Sequence, residues 1–170
     1  ARATSFGARV LILDEPTSAL GVKQAGIVLR YIVQARDRGV GVIFITHNLG
    51  IVAKMCDRVA VMYAGRMVES GPVKAIFDRP AHPYTRALLE SIPRMGDARQ
   101  RLTAIEGQPP DLARLPAGCA FHPRCPDAID RCRAEAPTDS LVSHAHTARC
   151  WVAASHQTAR PGERADDVGR

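Results

Sequence analysis

The chain has 170 residues, of which 46% are hydrophobic and 24% charged, and its formal net charge is +6. This composition is close to the average of globular proteins, so it argues against intrinsic disorder of the whole chain. No stretch approaches the roughly 18 consecutive apolar residues of a membrane span, and residues 1–10 lack the apolar run of a signal peptide. We therefore expect a cytosolic chain that can still dock on a membrane protein.

The positive charge is concentrated in one part of the sequence. Residues 1–106 hold 15 basic and 9 acidic residues, whereas residues 107–150 hold 5 of each and residues 151–170 hold 3 of each. This surplus suits a nucleotide, an anionic membrane surface or simply a solvated basic face. Because only 5% of the residues are aromatic and no stacking motif is present, we expect no nucleic-acid partner.

Hydrophobic periodicity predicts alternating strands and helices in the first part of the chain. The predicted strands are 10–13, 42–46, 59–63 and 67–70, and the predicted helices are 22–38, 49–56, 73–78 and 84–91. The continuous apolar runs of the first two strands are typical of strands buried on both faces. The order strand, helix, strand, helix and hairpin predicts α/β architecture with a mostly parallel sheet.

The character of the sequence changes near residue 92, where prolines become frequent and exclude long regular elements. We predict a boundary within residues 92–106, which separates a first domain (1–91) from an irregular, cysteine-rich extension (92–151). Residues 152–170 are mostly polar and lack periodicity, which predicts a disordered tail.

Two adjacent carboxylates, Asp14 and Glu15, directly follow the first predicted strand. Ligands of open α/β sheets bind at the carboxyl ends of strands, where one carboxylate can hold magnesium and a second can orient or deprotonate a water. The alternative is that Asp14 only caps the following turn.

The segment Asp14-Glu15-Pro16-Thr17-Ser18-Ala19-Leu20 resembles the Walker B and D-loop region of ATP-binding cassette (ABC) ATPases. Ile45-Thr46-His47-Asn48 resembles their switch-histidine motif. The resemblance implies a P-loop NTPase fold, with ATP and Mg²⁺ as cofactors. It also implies that Asp14 is the magnesium-site carboxylate, Glu15 the catalytic base and His47 the γ-phosphate contact.

The sequence departs from that family at two points. Gly21 stands where the D-loop usually carries Asp, and no glycine-rich phosphate loop or Leu-Ser-Gly-Gly signature is present. We expect both motifs to precede residue 1, so that the chain corresponds to the C-terminal part of an ABC ATPase. We therefore expect the isolated chain not to hydrolyse ATP.

A second resemblance follows the predicted hairpin. Phe77-Asp78-Arg79-Pro80-Ala81-His82-Pro83-Tyr84-Thr85-Arg86 is similar to a hallmark of oligopeptide and dipeptide importer ATPases, and the chain to about residue 151 resembles their C-terminal extension. The resemblance implies transmembrane permease subunits and a second ATPase subunit as partners, an indirect link to an extracytoplasmic solute-binding protein, and a site at the cytoplasmic face of the membrane. Residues 19–24 look more like sugar-import ATPases, so a mosaic joined near residue 48 is an alternative to natural divergence.

Four of the five cysteines lie in the extension, at positions 119, 125, 132 and 150. The spacing lacks the tight C-x2-C pairs of most structural zinc sites, and four thiolates on an irregular loop suit an iron–sulfur cluster. Gly118 to Pro126 resembles the cysteine motif of the peptide-importer ATPases, which implies a [4Fe–4S] cluster held by Cys119, Cys125, Cys132 and Cys150. Zinc, with His122 as a possible substitute ligand, and free thiols are the alternatives. Cys56 is expected to be a buried apolar residue.

Three functions therefore compete. The first is the ATPase subunit of a peptide importer, and the second is the ATPase subunit of a sugar or other small-solute importer. The third is a catalytically inactive metal-binding module that serves only for interaction.

Overall fold

A computed structural model describes residues 8–92 and 104–153. Along the described chain the strands are β1 (Val10–Asp14), β2 (Gly41–Ile45), β3 (Arg58–Tyr63), β4 (Arg66–Pro72), β5 (Ser140–Ser143) and β6 (His146–Ala148). The helices are α1 (Val22–Asp37), α2 (Leu49–Met55), α3 (Val73–Asp78), α4 (Pro83–Glu90) and α5 (Asp130–Ala134), with a short 3₁₀ helix at His122–Arg124. The chain divides into two compact units, Ala1–Met55 and Cys56–Arg170.

The first unit contains one parallel strand pair. β1 and β2 run side by side in parallel, with Asp14 opposite Ile45, and α1 packs against β2. Side chains alternate between the two faces of a strand, so one row of each strand is half-buried while Val10, Ile12 and Ile43 are 54%, 63% and 51% exposed. The prediction that both faces of these strands are buried is therefore wrong for the described residues, because α1 covers only one face.

The second unit is built on an antiparallel sheet with the strand order β3-β4-β6-β5. The predicted hairpin is β3 and β4, joined by a turn in which Ala64 and Gly65 both have positive φ. The pairing of β6 with β4 was not predicted, and it joins the extension to the hairpin. The α/β class is confirmed, but the parallel pairing in the described residues is confined to β1 and β2.

A buried apolar cluster lies under this sheet. Its buried members are Val61, Tyr63, Val68, Ile76 and Phe121. Tyr63, Tyr84 and Phe121 form an aromatic group, with ring centroids 4.6 to 5.4 Å apart. Phe121 comes from the extension, so both sides of the predicted boundary share one core.

The compact units consequently divide between Met55 and Cys56 and not within residues 92–106. Of that predicted boundary, residues 93–103 lie outside the described part of the chain, as do residues 154–170 of the predicted tail. Ala153 is 5% exposed, so ordered packing extends beyond Trp151.

Candidate functional site

Glu15 lies at the carboxyl end of β1 in a backbone conformation that is rare for a residue with a side chain. Its φ is +42°, and its N–H donates to the carbonyl of Ile45 at 2.9 Å. Non-glycine residues in this region of φ are uncommon and concentrate at functional sites. The parallel pairing of β1 with β2 brings Glu15 next to the residues that follow β2.

The Glu15 carboxylate accepts two hydrogen bonds from the switch segment. The backbone N–H of His47 donates to Oε1 at 2.7 Å, and the hydroxyl of Thr46 donates to Oε2 at 3.3 Å. The Thr46 hydroxyl also accepts from the N–H of Asn48 at 3.0 Å. These contacts fix the carboxylate against the strand end, so the structure brings together Glu15 and the backbone of His47.

The remaining two residues predicted for this site, Asp14 and the His47 side chain, are exposed at the same edge. Asn48 directly precedes α2, and its Oδ1 accepts from the N–H of Ile51 at 3.2 Å. An exposed carboxylate and an exposed imidazole at adjoining strand ends are open to a ligand from solvent. Such an arrangement can hold a cation and polar groups of an anionic ligand.

The loop between Glu15 and α1 ends at Gly21, which is the N-cap residue of the helix. Gly21 has φ −64° and ψ 159°, a conformation open to any residue, and it supplies no side-chain cap. Its carbonyl accepts from the N–H of Ala25 at 2.9 Å. The backbone conformation therefore does not require glycine at position 21, where ABC ATPases usually carry Asp.

The second unit contains a pocket lined by all four cysteines of the extension. Its lining residues are His82, Pro83, Cys119, Phe121, His122, Cys125, Cys132, Cys150, Trp151 and Val152. Local backbone bonds bring the cysteines together: the N–H of Cys119 donates to the carbonyl of Cys132 at 2.8 Å. Gly118 makes this approach possible, since it has φ +71° and a Cβ there would lie 2.3 Å from the same carbonyl oxygen.

Burial is the main influence on the ionisation of three of these thiols, those of Cys119, Cys125 and Cys150. Burial, and to a lesser degree the charges of the other cysteines, raises the pKa of Cys150 to about 12. The pKa of Cys125 is raised to about 11, first by burial. Burial also raises the pKa of Cys119. The raised pKa values of these three thiols mean that the folded chain favours their neutral forms.

Backbone N–H groups face the sulfur atoms of the pocket. Those of Phe121 and His122 interact with Cys119, that of Asp127 with Cys125 and that of Val152 with Cys150, and each lowers the pKa of its thiol against the larger effect of burial. Donors aimed at sulfur stabilise negative charge on it. These donors therefore offset only part of the effect of burial, and the pKa of each of the three thiols stays raised.

The grouping of cysteines falls short of a ready-made single-ion site. Within residues 8–92 and 104–153, no three or more His, Cys, Asp or Glu side chains are grouped as ligands of one metal ion. Cys56 is half-buried and does not line the pocket, and burial raises the pKa of its thiol.

A buried hydrogen-bonded pair, Glu69 and His146, was not predicted from the sequence. Glu69 on β4 accepts from the backbone N–H groups of Ala81 and His82, at 2.7 and 2.9 Å, and pairs with Nε2 of His146 at 2.7 Å. Both side chains are almost fully buried. The available signal was weak: Glu69 interrupts an otherwise strand-like run, and its partner lies 77 residues away.

The sequence is similar to proteins of known families. The family described as "Oligopeptide/dipeptide transporter, C-terminal region" matches residues 68–132. A dipeptide transport ATP-binding protein of Bacillus subtilis is 49% identical over 144 residues, which cover 84% of this chain and 43% of that protein. An oligopeptide transport ATP-binding protein of Haemophilus influenzae is 44% identical over 147 residues, which cover 86% of this chain and 45% of that protein.

A peptide import ATP-binding protein of Brucella ovis is 49% identical over 83% of this chain. The chain spans less than half the length of these relatives, 44% for the Brucella protein. The fold and the matches define the C-terminal part of an ABC ATPase. Within that class the chain belongs to the oligopeptide/dipeptide transporter type, as the sequence resemblance predicted.

Within the described ranges, no helix combines the length and apolar character needed to cross a bilayer.

Proposed function

We propose that the chain is part of the ATP-binding subunit of an ABC importer that energises peptide uptake across the cytoplasmic membrane. The observation that carries the proposal is the contact of the Glu15 carboxylate with the N–H of His47 at 2.7 Å, which joins two family motifs at neighbouring strand ends. The peptide-transport names of the relatives support a peptide cargo over a sugar.

In this proposal the three residues at the strand ends have separate roles. Asp14 holds Mg²⁺ of the bound MgATP, and Glu15 positions and deprotonates the attacking water. His47 donates a hydrogen bond to the γ-phosphate, where negative charge develops during transfer. The hydrogen bonds to both oxygens of Glu15 support this division, because they orient the carboxylate before any substrate binds.

The proposal extends to partners, location and fold. Transmembrane permease subunits and a second ATPase subunit would bind the chain at the cytoplasmic face of the membrane, with an extracytoplasmic solute-binding protein acting indirectly.

The exposed apolar row of Val10, Ile12 and Ile43 supports a larger, mostly parallel sheet in the intact ATPase, because such a patch is usually covered. Residues 1–91 would belong to the ATPase domain and 92–151 to its extension.

A chimera tests this function directly. The corresponding C-terminal segment of the Bacillus subtilis dipeptide transport ATP-binding protein would be replaced by this chain, and ATP turnover measured with the permease partners. We expect Mg²⁺-dependent turnover, which Glu15→Gln abolishes while nucleotide affinity changes little, because the base acts on water in the transition state.

Thr17→Val provides a control near the same strand end. A chimera that turns over ATP equally well with Gln at position 15, or that loses binding and turnover together, would contradict the role of Glu15. Inactivity of Glu15→Gln alone would prove nothing if the control were also inactive.

We also propose that Cys119, Cys125, Cys132 and Cys150 hold a metal centre, a [4Fe–4S] cluster in preference to zinc. Four cysteines around one pocket and backbone N–H groups directed at three of the sulfurs support sulfur ligands at this site. Such a cluster would supply one-electron chemistry or only a structural cross-link.

Metal analysis separates the alternatives. After anaerobic expression with iron, we expect about four irons per chain and a brown colour, the composition of a cubane cluster. Serine at any of the four positions should remove the colour, whereas Cys56→Ser should retain it. About one zinc per chain would replace the cluster by a zinc site, and metal-free protein with four titratable thiols would contradict both.

A further inference from the structure

Thr46 directly follows β2, and its hydroxyl bridges two parts of the carboxylate site. The oxygen accepts from the backbone N–H of Asn48 at 3.0 Å, which fixes its position. A backbone N–H only donates, so the single hydrogen of the hydroxyl remains for another partner. Oε2 of Glu15 lies 3.3 Å away and is an acceptor. The hydroxyl of Thr46 is therefore directed at the Glu15 carboxylate.

The register of the strand pair accounts for this contact. Asp14 lies opposite Ile45, so Glu15 and Thr46 follow their strands as neighbours. The N–H of Glu15 donates to the carbonyl of Ile45 at 2.9 Å, which ties the backbone of Glu15 to the end of β2. Both Glu15 and Thr46 are half-buried, so water competes less for their contact than at a fully exposed edge.

Two hydrogen bonds restrict the Glu15 side chain more than one can. The torsion that rotates a Glu carboxylate has broad preferences, so a single bond leaves the plane of the group loosely defined. The N–H of His47 holds Oε1 at 2.7 Å, and the hydroxyl of Thr46 holds Oε2. Because each oxygen has its own donor, the plane of the carboxylate is fixed.

This restraint leaves Glu15 able to act as a base. A carboxylate can accept about four hydrogen bonds, and these two contacts use one position on each oxygen. The other positions can accept from a water molecule. A general base must lie within hydrogen-bond reach of the proton and be aligned with it, so a fixed plane favours the reaction more than the binding of nucleotide.

We propose that Thr46 is a positioning residue for Glu15, whose hydroxyl holds the carboxylate plane in the orientation that meets the attacking water. This inference rests on the proposed ATPase function. Thr46 acts through Glu15 and need not contact nucleotide or water itself. Loss of the hydroxyl should therefore slow the step in which Glu15 takes part and leave nucleotide binding intact.

The hydroxyl can be removed with little change of shape. Thr46→Val replaces it by a methyl group, and Thr46→Ala removes it in a smaller side chain. Thr46→Ser keeps the hydroxyl and loses only the methyl group. Thr17→Val is the matched control, because it makes the same replacement at another half-buried threonine, two residues after Glu15.

The first measurement is ATP turnover of the chimera with the Bacillus subtilis protein. We expect Thr46→Val and Thr46→Ala to lower kcat about tenfold, a size typical of one hydrogen bond to a charged group, while KM for ATP stays within about twofold. Thr46→Ser and Thr17→Val should keep at least about half of the wild-type kcat. Unchanged kcat in the hydroxyl-free variants, or a loss carried by KM, would overturn the proposal.

The same experiment distinguishes this inference from the function on which it rests. A wild-type chimera without turnover would overturn the proposed function and the role of Thr46 together. Normal kcat in Thr46→Val, beside an inactive Glu15→Gln, would overturn the role of Thr46 alone.

A second measurement needs no turnover. Amide hydrogen exchange of the full chain, resolved by NMR, reports the His47 N–H that is bonded to Glu15. Thr46→Val should speed this exchange at least about threefold, because the carboxylate is held less firmly. The N–H of Ile51, which is bonded to Oδ1 of Asn48, should keep its rate and so show that the start of α2 is intact.

Dependence on Glu15 separates positioning from a purely local role of Thr46. In a Glu15→Ala chain the carboxylate is absent, so adding Thr46→Val should not speed exchange at His47 further. Equal acceleration with and without the carboxylate would overturn the proposal. A wild-type His47 N–H that exchanges as fast as in unfolded chain would also overturn it, because the contact with Glu15 would then not form.

Discussion

The two candidate sites are built in opposite ways. The carboxylate site of the first unit lies at an open strand edge, where Asp14 and His47 are exposed and one row of strand side chains faces solvent. The cysteine pocket of the second unit is backed by Phe121 and Ile76, each 1% exposed. The first depends on backbone topology, whereas the second depends on a packed core. Substitutions in the two units should therefore differ in their cost.

The strongest test of this difference compares two phenylalanines. Phe121→Ala should lower the free energy of unfolding of the second unit by about 3–5 kcal/mol, because it leaves a cavity in the core. Phe44→Ala, at a half-buried position in β2, should cost less than half as much. Denaturant unfolding followed by the fluorescence of Trp151, the only tryptophan, reports the second unit, and far-ultraviolet circular dichroism of the same samples includes the helices and strands of the first unit. Equal losses for both variants would contradict the comparison.

The next test concerns the turn that brings Cys119 to Cys132. Gly118→Ala combines a strained φ of +71° with a Cβ placed 2.3 Å from the Cys132 carbonyl oxygen. We expect a loss of about 2–4 kcal/mol and a lower iron content. Gly65→Ala is the matched control, since its φ is +74° but no atom lies within 4 Å of the added carbon. It should cost about 1–2 kcal/mol. Similar losses in both variants would show that the close approach is unimportant.

A third test uses the ionisation of the pocket thiols in metal-free protein. The folded pKa of Cys150 is about 12, above the ordinary value of 9.0, because of burial. A raised folded pKa stabilises the fold below pH 9, and this contribution is lost as the pH rises towards 12. Alkylation of Cys150 at pH 9, followed by peptide mass spectrometry, should be at least about tenfold slower than in unfolded chain, because the thiolate is the nucleophile.

Cys150→Ser is the control for the stability measurement, and the alkylation rate gives the result that would contradict the prediction. Cys150→Ser should flatten the loss of stability between pH 9 and 11, as measured by Trp151 fluorescence in chelator and reductant. Alkylation of Cys150 as fast in the folded as in the unfolded chain would show that the pocket does not shield this thiol.

The smallest expected effect is in the first unit. Gly21→Asp should stabilise α1 by a few tenths of a kcal/mol, because Asp is a better N-cap residue than Gly and the helix has no acidic residue in its first turn. The added Cβ would lie 2.8 Å from Oε1 of Gln24, the flexible end of a side chain that can move. Helix-specific hydrogen exchange would measure the change, with Gly26→Ala as a control for general helix propensity. Faster exchange in Gly21→Asp would contradict it.

The helices and strands between residues 8 and 92 were predictable from local sequence. Apolar runs and breaks predicted β1, α1, β2, α2, the hairpin and both following helices to within about two residues. The acidic pair after β1 and the Thr-His-Asn after β2 also predicted a shared strand edge. That prediction succeeded because parallel neighbours in a sheet end at the same side.

The structure of the extension was harder to predict, because its strands and buried pairs depend on contacts between residues that are far apart in the sequence. Short strands β5 and β6 have too few residues for a periodic signal, and β6 is defined by its pairing with β4. The Glu69–His146 pair spans 77 residues, so no local pattern announces it. His82 shows the same limit, because the local sequence predicted for it only a role at the start of a helix.

Periodicity, spacing and resemblance were enough to predict the family, the alternation of strands and helices, the polar residues at the strand ends and the four cysteines. All of these are properties of short stretches of sequence. That the cysteines line one pocket and that Phe121 completes the hairpin core became visible only in the folded chain. Packing brings together residues that are far apart in the sequence, and buried polar groups such as Glu69 take whichever partner the fold provides.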